Sequence, residues 1–389
     1  MKWQSCYVFI AVAACLLASA PASAAQAAIV PALPSEEDAP IALLVDLSSG
    51  QTLFSREEQR RFAPASVTKV MTAYTAFEQI KQKKLGLTQV LSMTPETFKT
   101  WGRVGSTMFL GHDARVPVDQ LLLGVTSVSA NDGAAVLAEG AAGSVGAWLG
   151  LMNANARRLG MRDSHFASPN GWPDGGATYT TARDLIKLAK ATVVDHPALY
   201  KAFFGRPSFT YGGITQRNHD PITGVVAGAD GLKTGYTDQA GYTFLGSAER
   251  SGRRLAMVVA TSDTARARDR SARALIEWGF AAFDSYVLFP RDRPIAHARV
   301  QNGAKRNVAL VTDGPVSVAV PRGTRPKVEM VVHYAGPIIA PVEAGDVLGR
   351  LDVTVTGMPG YSIPLRAAEP IGAAKPLQRV VNGVAGWFS

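Results

Sequence analysis

Cysteine is nearly absent from this chain. Its only two, Cys6 and Cys15, lie at the extreme N-terminus, so a disulfide framework, thiolate chemistry and cysteine-held metals are excluded from the body of the protein. Histidine is almost as scarce. His112, His165, His196, His219, His297 and His333 are scattered, with no His-x-x-x-His pair of the kind a helical zinc site needs. No metal or other cofactor is therefore expected, and His165 and His219 are read as loop or packing residues. Glutamate is missing altogether between Glu139 and Glu249. Beyond the N-terminus no apolar run is long enough to cross a bilayer.

What is present first is a leader. MKWQSCYVFIAVAACLLASAPASA carries one charge, then a short apolar run, then small residues ending at Ala24, the pattern of a secretory signal peptide over residues 1–24. Cleavage is expected after Ala24, with lipidation at Cys15 of Val12-Ala-Ala-Cys15 as the alternative. Lysine and arginine exceed aspartate and glutamate, 40 to 31, a formal charge of +9. Export turns that excess away from nucleic acid and toward anionic membrane or wall surfaces. A periplasmic location is expected, on the outer face of the cytoplasmic membrane.

After a lead-in over 25–38, a main domain is expected over 39–288. Two apolar runs around Ser48-Ser-Gly-Gln51 predict a hairpin. Pro64-Ala-Ser66 opens a helix with Val67, Val70, Met71 and Tyr74 on one buried face. Helical periodicity continues from Val118 to about Leu159, and again in TARDLIKLAKATV. Extended segments, DGLKTGY, GYTFLGSAE and RRLAMVVATS, follow from Ala229, with a last helix over ARDRSARALIEWGFAAF. Strands at both ends with helices between predict an α/β (α+β) domain, an antiparallel sheet covered by helices. Short Val-rich strands between Gly and Pro turns predict a small all-β domain over 289–367. The tail 368–389 places Leu377, Val380, Val381, Val384, Trp387 and Phe388 at helical spacing, which suits an amphipathic helix at a membrane surface.

Three strings carry chemistry. Ser66-Val-Thr-Lys69 puts a hydroxyl and an amine on one face of a helix start, where the dipole favours negative charge and a neutral lysine can take the serine proton. Ser129-Ala-Asn131 falls between two apolar helices and pairs a proton-relaying hydroxyl with a substrate-binding amide, or else caps a helix. Lys233-Thr-Gly235 precedes an extended segment. Lys233 and Thr234 can hold a carboxylate there, and Gly235 lets substrate backbone approach. Ser168-Pro-Asn170 has the form of the second string, but its proline and Gly171 mark it as a turn to which no chemistry is assigned.

The order Ser-x-x-Lys, Ser-x-Asn, Lys-Thr-Gly is the signature of penicillin-binding proteins and class A β-lactamases. PASVTKVMTAY, GSTMFLG, SVSANDGAAVLAEGAAGS, MNANARRLGMRDSHFASPNGWPD, TTARDL, GLKTGYTDQAGYTFLGSA and IEWGF resemble the low-molecular-weight penicillin-binding proteins, the D-alanyl-D-alanine carboxypeptidases, over about Ala39 to Phe280. The resemblance implies a penicillin-binding/β-lactamase-like transpeptidase fold, with the all-β C-terminal domain shared by longer members. It implies Ser66 as acylated nucleophile, Lys69 as base, Ser129 and Asn131 for proton relay and positioning, and Lys233, Thr234 and Arg268 for the substrate carboxylate. The N–H groups of Ser66 and Tyr236 become the oxyanion hole, Tyr236 standing where several relatives have histidine. Peptidoglycan stem peptides are the implied substrate, β-lactams the implied inhibitors. A β-lactamase of class A needs a glutamate for deacylation, and the stretch without glutamate offers only Asp174 in the relevant loop. A D,D-endopeptidase and a non-hydrolytic β-lactam sensor or wall-binding module remain the alternatives.

Overall fold

The structure, a computed structural model, describes residues 5–10, for which only the backbone path is given, and 30–375. The described residues form two compact units. One comprises 30–47 and 53–281, the other 5–10, 48–52 and 282–375.

The first unit is built on a five-stranded sheet in the spatial order 51–56, 41–46, 253–262, 241–250, 229–237. Leu44 stands opposite Met257, Val258 opposite Leu245, and Gly235 opposite Thr243, all in antiparallel register. The hairpin expected at Ser48–Gln51 is formed, and a second joins the strands 241–250 and 253–262. Leu255 to Ala260 are completely buried on the central strand because both faces of the sheet are covered. Leu43, Val258 and Ala260 belong to the main helical core. On the other face Gly279, in the helix Ala265–Ala282, lies so close to Leu44 and Leu255 that a Cβ would stand 2.5 Å and 2.8 Å from their methyls.

Eight helices of this unit are labelled in chain order: α1 (Thr68–Lys81), α2 (Pro95–Trp101), α3 (Val118–Ser127), α4 (Asn131–Ala142), α5 (Val145–Arg158), α6 (Ala182–Asp195), α7 (Pro197–Phe203) and α8 (Ala265–Ala282). Side chains cap four of them: Thr94, Ser144, Thr181 and Thr264 accept from Thr97, Ala147, Asp184 and Ala267 N–H, each satisfying a donor the helix leaves open.

Helix α1 departs from the expected single buried face, since Thr68 through Glu78 are buried all round. Apart from Thr68, whose hydroxyl is buried without a partner, its polar residues survive there by reaching partners in other elements. Thr72 Oγ1 donates to the Pro169 carbonyl at 2.5 Å, and Thr75 Oγ1 accepts from Asn155 at 3.2 Å. Glu78 meets His196 at 2.7 Å and Arg158 at 2.9 Å. The helix is thereby an inner post of the domain.

In the second unit, five strands (296–301, 307–311, 328–335, 347–355, 361–367) make most of a seven-stranded sheet over a core of Ala298, Val308, Leu310, Val332, Leu351, Val353 and Leu365. No helix occurs among its described residues. Phe283–Phe289 is already a strand, paired with Val316–Pro321, so sheet structure starts before the change of composition at Pro290. Ser5–Ile10, inside the expected leader, runs antiparallel to Met330–Ala335 as the sheet's outer strand. Ala368–Lys375 stay with this unit, with Ile371 bridged to Val342 and Ala373 to Gly303. The amphipathic stripe from Leu377 to Phe388 lies outside the described residues, as does the rest of the leader.

Candidate active site

Ser66 sits in a short 3-10 turn, Ala65–Val67, that runs straight into α1. Three residues on, Lys69 is wholly enclosed. Its Nζ stands 3.0 Å from Ser66 Oγ, 2.7 Å from Asn131 Oδ1 and 2.7 Å from the Asn170 carbonyl. Burial, and after it the charge of Lys233, push the Lys69 amine far below its usual range, against the opposing pull of Asp132. A charged ammonium would donate to all three oxygens, whereas the free amine donates to the two amide oxygens and turns its lone pair toward Ser66 Oγ.

The second string lies between α3 and α4. Asn131 does not act as a cap; α4 has Ala130 at its N-cap and no side-chain capping bond. Instead the Asn131 carboxamide is spread between two functions, Oδ1 on Lys69 and Nδ2 on the Val104 carbonyl at 3.0 Å. Ser129 is held at φ +64°, a conformation costly for any residue with a Cβ, and its hydroxyl is buried without a hydrogen-bond partner. Strain and an orphaned polar atom coincide at one residue, as they do where geometry serves chemistry.

Lys233, Thr234, Gly235 and Tyr236 lie on the strand 229–237, which closes one edge of the five-stranded sheet and so turns alternate backbone groups away from its partner. Lys233 is buried. Desolvation and then Arg268 lower its pKa to about 7, while Asp220 opposes; its Nζ donates to the Thr234 carbonyl at 2.9 Å. Gly235 is the contact between this strand and the serine turn, because a Cβ there would stand 2.5 Å from the Pro64 carbonyl and 3.2 Å from Ser66 N. The room that glycine leaves is taken by the protein's own backbone. The exposed Tyr236 ring stacks on Tyr242, centroids 4.1 Å apart, and its hydroxyl donates to Asp238 at 2.6 Å. Arg268 is buried on α8, its Nη1 3.4 Å from the Thr243 carbonyl, opposite Gly235. Its neighbours differ. Arg266 is exposed, and Arg270 reaches out to Asp38.

Four residues of the site carry no signal in the three strings. Asn170 requires a correction: the turn Ser168-Pro-Asn170, assigned no chemistry from sequence, presents its carbonyl to Lys69. The same turn holds itself together through Ser168 Oγ and Asn170 Oδ1, which are 2.7 Å apart. Asp132 accepts from Met108, Leu110 and Gly133 N–H at 2.8–3.1 Å, fastening the loop before α3 to the α4 start. Asp220 accepts from Ile222 and Thr223 N–H and from the Thr223 hydroxyl and is the carboxylate whose field reaches Lys233. His219, read from sequence as a loop or packing residue, is depressed by desolvation and then by the charges of Lys233 and Arg268, so it belongs to this cationic corner. Asp174, the one carboxylate of the loop 168–176, is occupied by the Thr178 N–H and hydroxyl at 3.1 Å and 2.5 Å.

Comparison with known proteins gives a consistent result. The family profile described as D-alanyl-D-alanine carboxypeptidase matches residues 25–264, and the C-terminal domain of penicillin-binding protein 5 matches residues 283–373. D-alanyl-D-alanine carboxypeptidase DacA of Escherichia coli is 31% identical over 359 residues, 91% of this chain and 88% of that protein. The structure of penicillin-binding protein 5 from Haemophilus influenzae superposes with a TM-score of 0.75 at 30% identity, covering 88% of this chain and 99% of that one. Penicillin-binding protein D2 from Listeria monocytogenes, solved in its ampicillin-bound form, superposes at 0.56 and 29% identity over 62% of this chain and 97% of its own.

Proposed function

The chain belongs to the D-alanyl-D-alanine carboxypeptidase family, and from that premise we propose how its residues divide the work. The enzyme is a serine hydrolase that removes the terminal D-alanine from a D-alanyl-D-alanine end. Its substrate is the stem peptide of peptidoglycan.

Neutral Lys69 takes the Ser66 proton as Ser66 Oγ bonds to the penultimate D-alanine carbonyl carbon. The oxyanion meets the N–H groups of Ser66 and Tyr236, donors that gain most when the charge appears. The proton passes from Lys69 through Ser129 to the nitrogen of the terminal D-alanine, the C–N bond breaks, and an ester on Ser66 remains. Water, deprotonated by Lys69, then cleaves that ester and returns Ser66. Asn131 positions both Lys69 and the substrate amide. Lys233, Thr234 and Arg268 hold the terminal carboxylate, the two cations supplying charge and Arg268 a planar fork. Gly235 keeps the strand within reach of the serine turn. A β-lactam enters by the same acylation, but its leaving nitrogen stays tethered, so the ester persists. The three-way contact of Lys69 with Ser66, Asn131 and Asn170 is the observation on which this reading rests.

Release of free D-alanine from diacetyl-L-Lys-D-Ala-D-Ala, blocked by benzylpenicillin that peptide mass mapping locates on Ser66, is the expected result. Penicillin bound at Ser66 without D-alanine release would leave a sensor. Preferential cleavage of cross-linked muropeptides would make the chain an endopeptidase.

We further propose that residues 1–24 direct export and that the segment beyond Lys375 holds the enzyme on the membrane. The apolar stripe with Trp387 and Phe388, behind Lys375 and Arg379, supports this reading. The enzyme is expected to sediment with vesicles containing phosphatidylglycerol and to lose that binding when shortened to Lys375. Equal binding by both forms would place the membrane contact elsewhere.

A further inference from the structure

A recess at the start of the serine turn is lined by a large apolar side chain that the three strings do not include. Trp172 is 42% exposed, and an indole left in water is informative where it lines a site. It packs edge-on against Trp101 at the end of α2, centroids 5.8 Å apart and planes at 81°. Both indoles are mounted on the groups that hold Lys69. The backbone N–H of Trp172 donates to Asn170 Oδ1 at 3.1 Å. Trp101 lies one turn from Val104, whose N–H bonds the Trp101 carbonyl and whose own carbonyl takes Asn131 Nδ2. Gly105 closes the gap between them, since a Cβ there would stand 2.7 Å from both Asn131 Nδ2 and the Trp172 ring. The indole thus packs at Gly105 beside the Asn131 carboxamide that holds Lys69.

Its position along the substrate follows from strand geometry. With the terminal carboxylate at Lys233 and Thr234 and the scissile carbonyl beside Ser66 and Tyr236, a peptide extended along this edge advances about 3.3 Å per residue. The residue before the two D-alanines then lies beyond Tyr236. There Thr237 and Gln239 line one small recess together with Ala65, Gly171, Trp172 and Asp174.

We propose that Trp172, backed by Trp101, is the wall against which the enzyme packs the long aliphatic side chain of the diamino acid preceding D-Ala-D-Ala. It therefore sets selectivity for stem peptides with a long arm at that position. The proposal rests on the carboxypeptidase reading for the direction of the substrate.

The test compares diacetyl-L-Lys-D-Ala-D-Ala with acetyl-L-Ala-D-Ala-D-Ala. For Trp172→Ala, kcat/KM on the lysine peptide should fall by about 10–30-fold, mainly through KM, the loss of roughly two buried methylenes against an aromatic face. On the alanine peptide it should stay within about threefold, showing that the variant is folded and Lys69 still in place, and Trp172→Phe should recover part of the lysine preference. Equal losses on both peptides, or none on either, would overturn the wall. Binding of the lysine peptide by calorimetry to Ser66→Ala, with and without Trp172→Ala, separates the two readings. If the unmodified enzyme cleaves neither peptide and Trp172→Ala still weakens that binding about tenfold or more, the hydrolase reading falls and the wall stands. Unchanged binding overturns the wall regardless of turnover.

Discussion

Replacing Lys69 by methionine is expected to lower D-alanine release and penicillin acylation by about 10²–10⁴-fold or more, the contribution of a positioned general base. Methionine keeps the length of the arm and its apolar packing, so the loss reports the amine. It also leaves Asn131 Oδ1 and the Asn170 carbonyl without their shared donor, which costs about 1–3 kcal/mol of stability for each buried group left unpaired. Ser66→Ala should be at least as damaging, and the double variant no worse than Ser66→Ala alone, because the two residues act as one unit. The sign of the pH dependence follows from the same corner. Lys69 is depressed and works as the free amine, so kcat/KM falls when acid protonates it. Lys233 works as the cation, and its pKa of about 7 makes kcat/KM fall again as pH rises through that value. The two limbs belong to the coupled pair. A bound carboxylate favours charged Lys233 and so moves the alkaline limb of kcat upward relative to that of kcat/KM. The acid limb should vanish in Lys69→Met while the alkaline limb remains. Stopped-flow acylation across pH 5–10 measures both, and a Lys69→Met variant within tenfold of the unmodified enzyme would remove lysine from the role of base.

The residues proposed for the chemistry were legible because each is assigned a role for its side chain as a reagent, and a reagent needs a particular residue type. Ser66, Lys69, Ser129, Asn131 and Lys233 are of that kind. The supports were hidden because their work is done by groups with no residue signature. Asn170 serves Lys69 through a carbonyl that any residue possesses, so the sequence Ser-Pro-Asn-Gly gave away the turn and concealed its use. Asp132 and Asp220 hold backbone N–H groups of distant or irregular segments, which no periodicity records. The all-round burial of α1 from Thr68 to Glu78 was hidden for a related reason. Thr72, Thr75 and Glu78 look like a polar face until their partners at Pro169, Asn155 and His196 are known. The hairpins, the helices from Val118 to Arg158 and the Val-rich strands were visible because their patterns are local. Phe283–Phe289 was not, since Phe-Asp-Ser-Tyr-Val-Leu-Phe continues the apolar content of α8 and only its pairing with Val316–Pro321 makes it a strand.

Gly171→Ala is expected to be the most damaging loss of stability at the site. Gly171 has φ +75°, and a Cβ there would stand 1.8 Å from the Ala65 carbonyl oxygen and 2.9 Å from Thr68 Oγ1. The left-handed conformation alone costs an alanine about 1–2 kcal/mol. Relieving the clash means moving backbone in the serine turn or in the 168–172 turn, for which overpacking costs of about 1–3 kcal/mol are typical. Together these should lower the melting temperature by roughly 10 °C. Either movement separates Ser66 from the Asn170 carbonyl that holds Lys69, so acylation by penicillin should fall as well, measured well below both melting temperatures. Gly175 supplies the control, for it has φ +70° with nothing within 4 Å of its would-be Cβ. Gly175→Ala meets the conformational cost without the collision and should lose only about 1–2 kcal/mol and no acylation rate. Equal effects of the two substitutions would mean that backbone strain, and not the approach of the two turns, is what Gly171 relieves. A stable Gly171→Ala enzyme with an unaltered acylation rate would show that Lys69 is held by Asn131 alone.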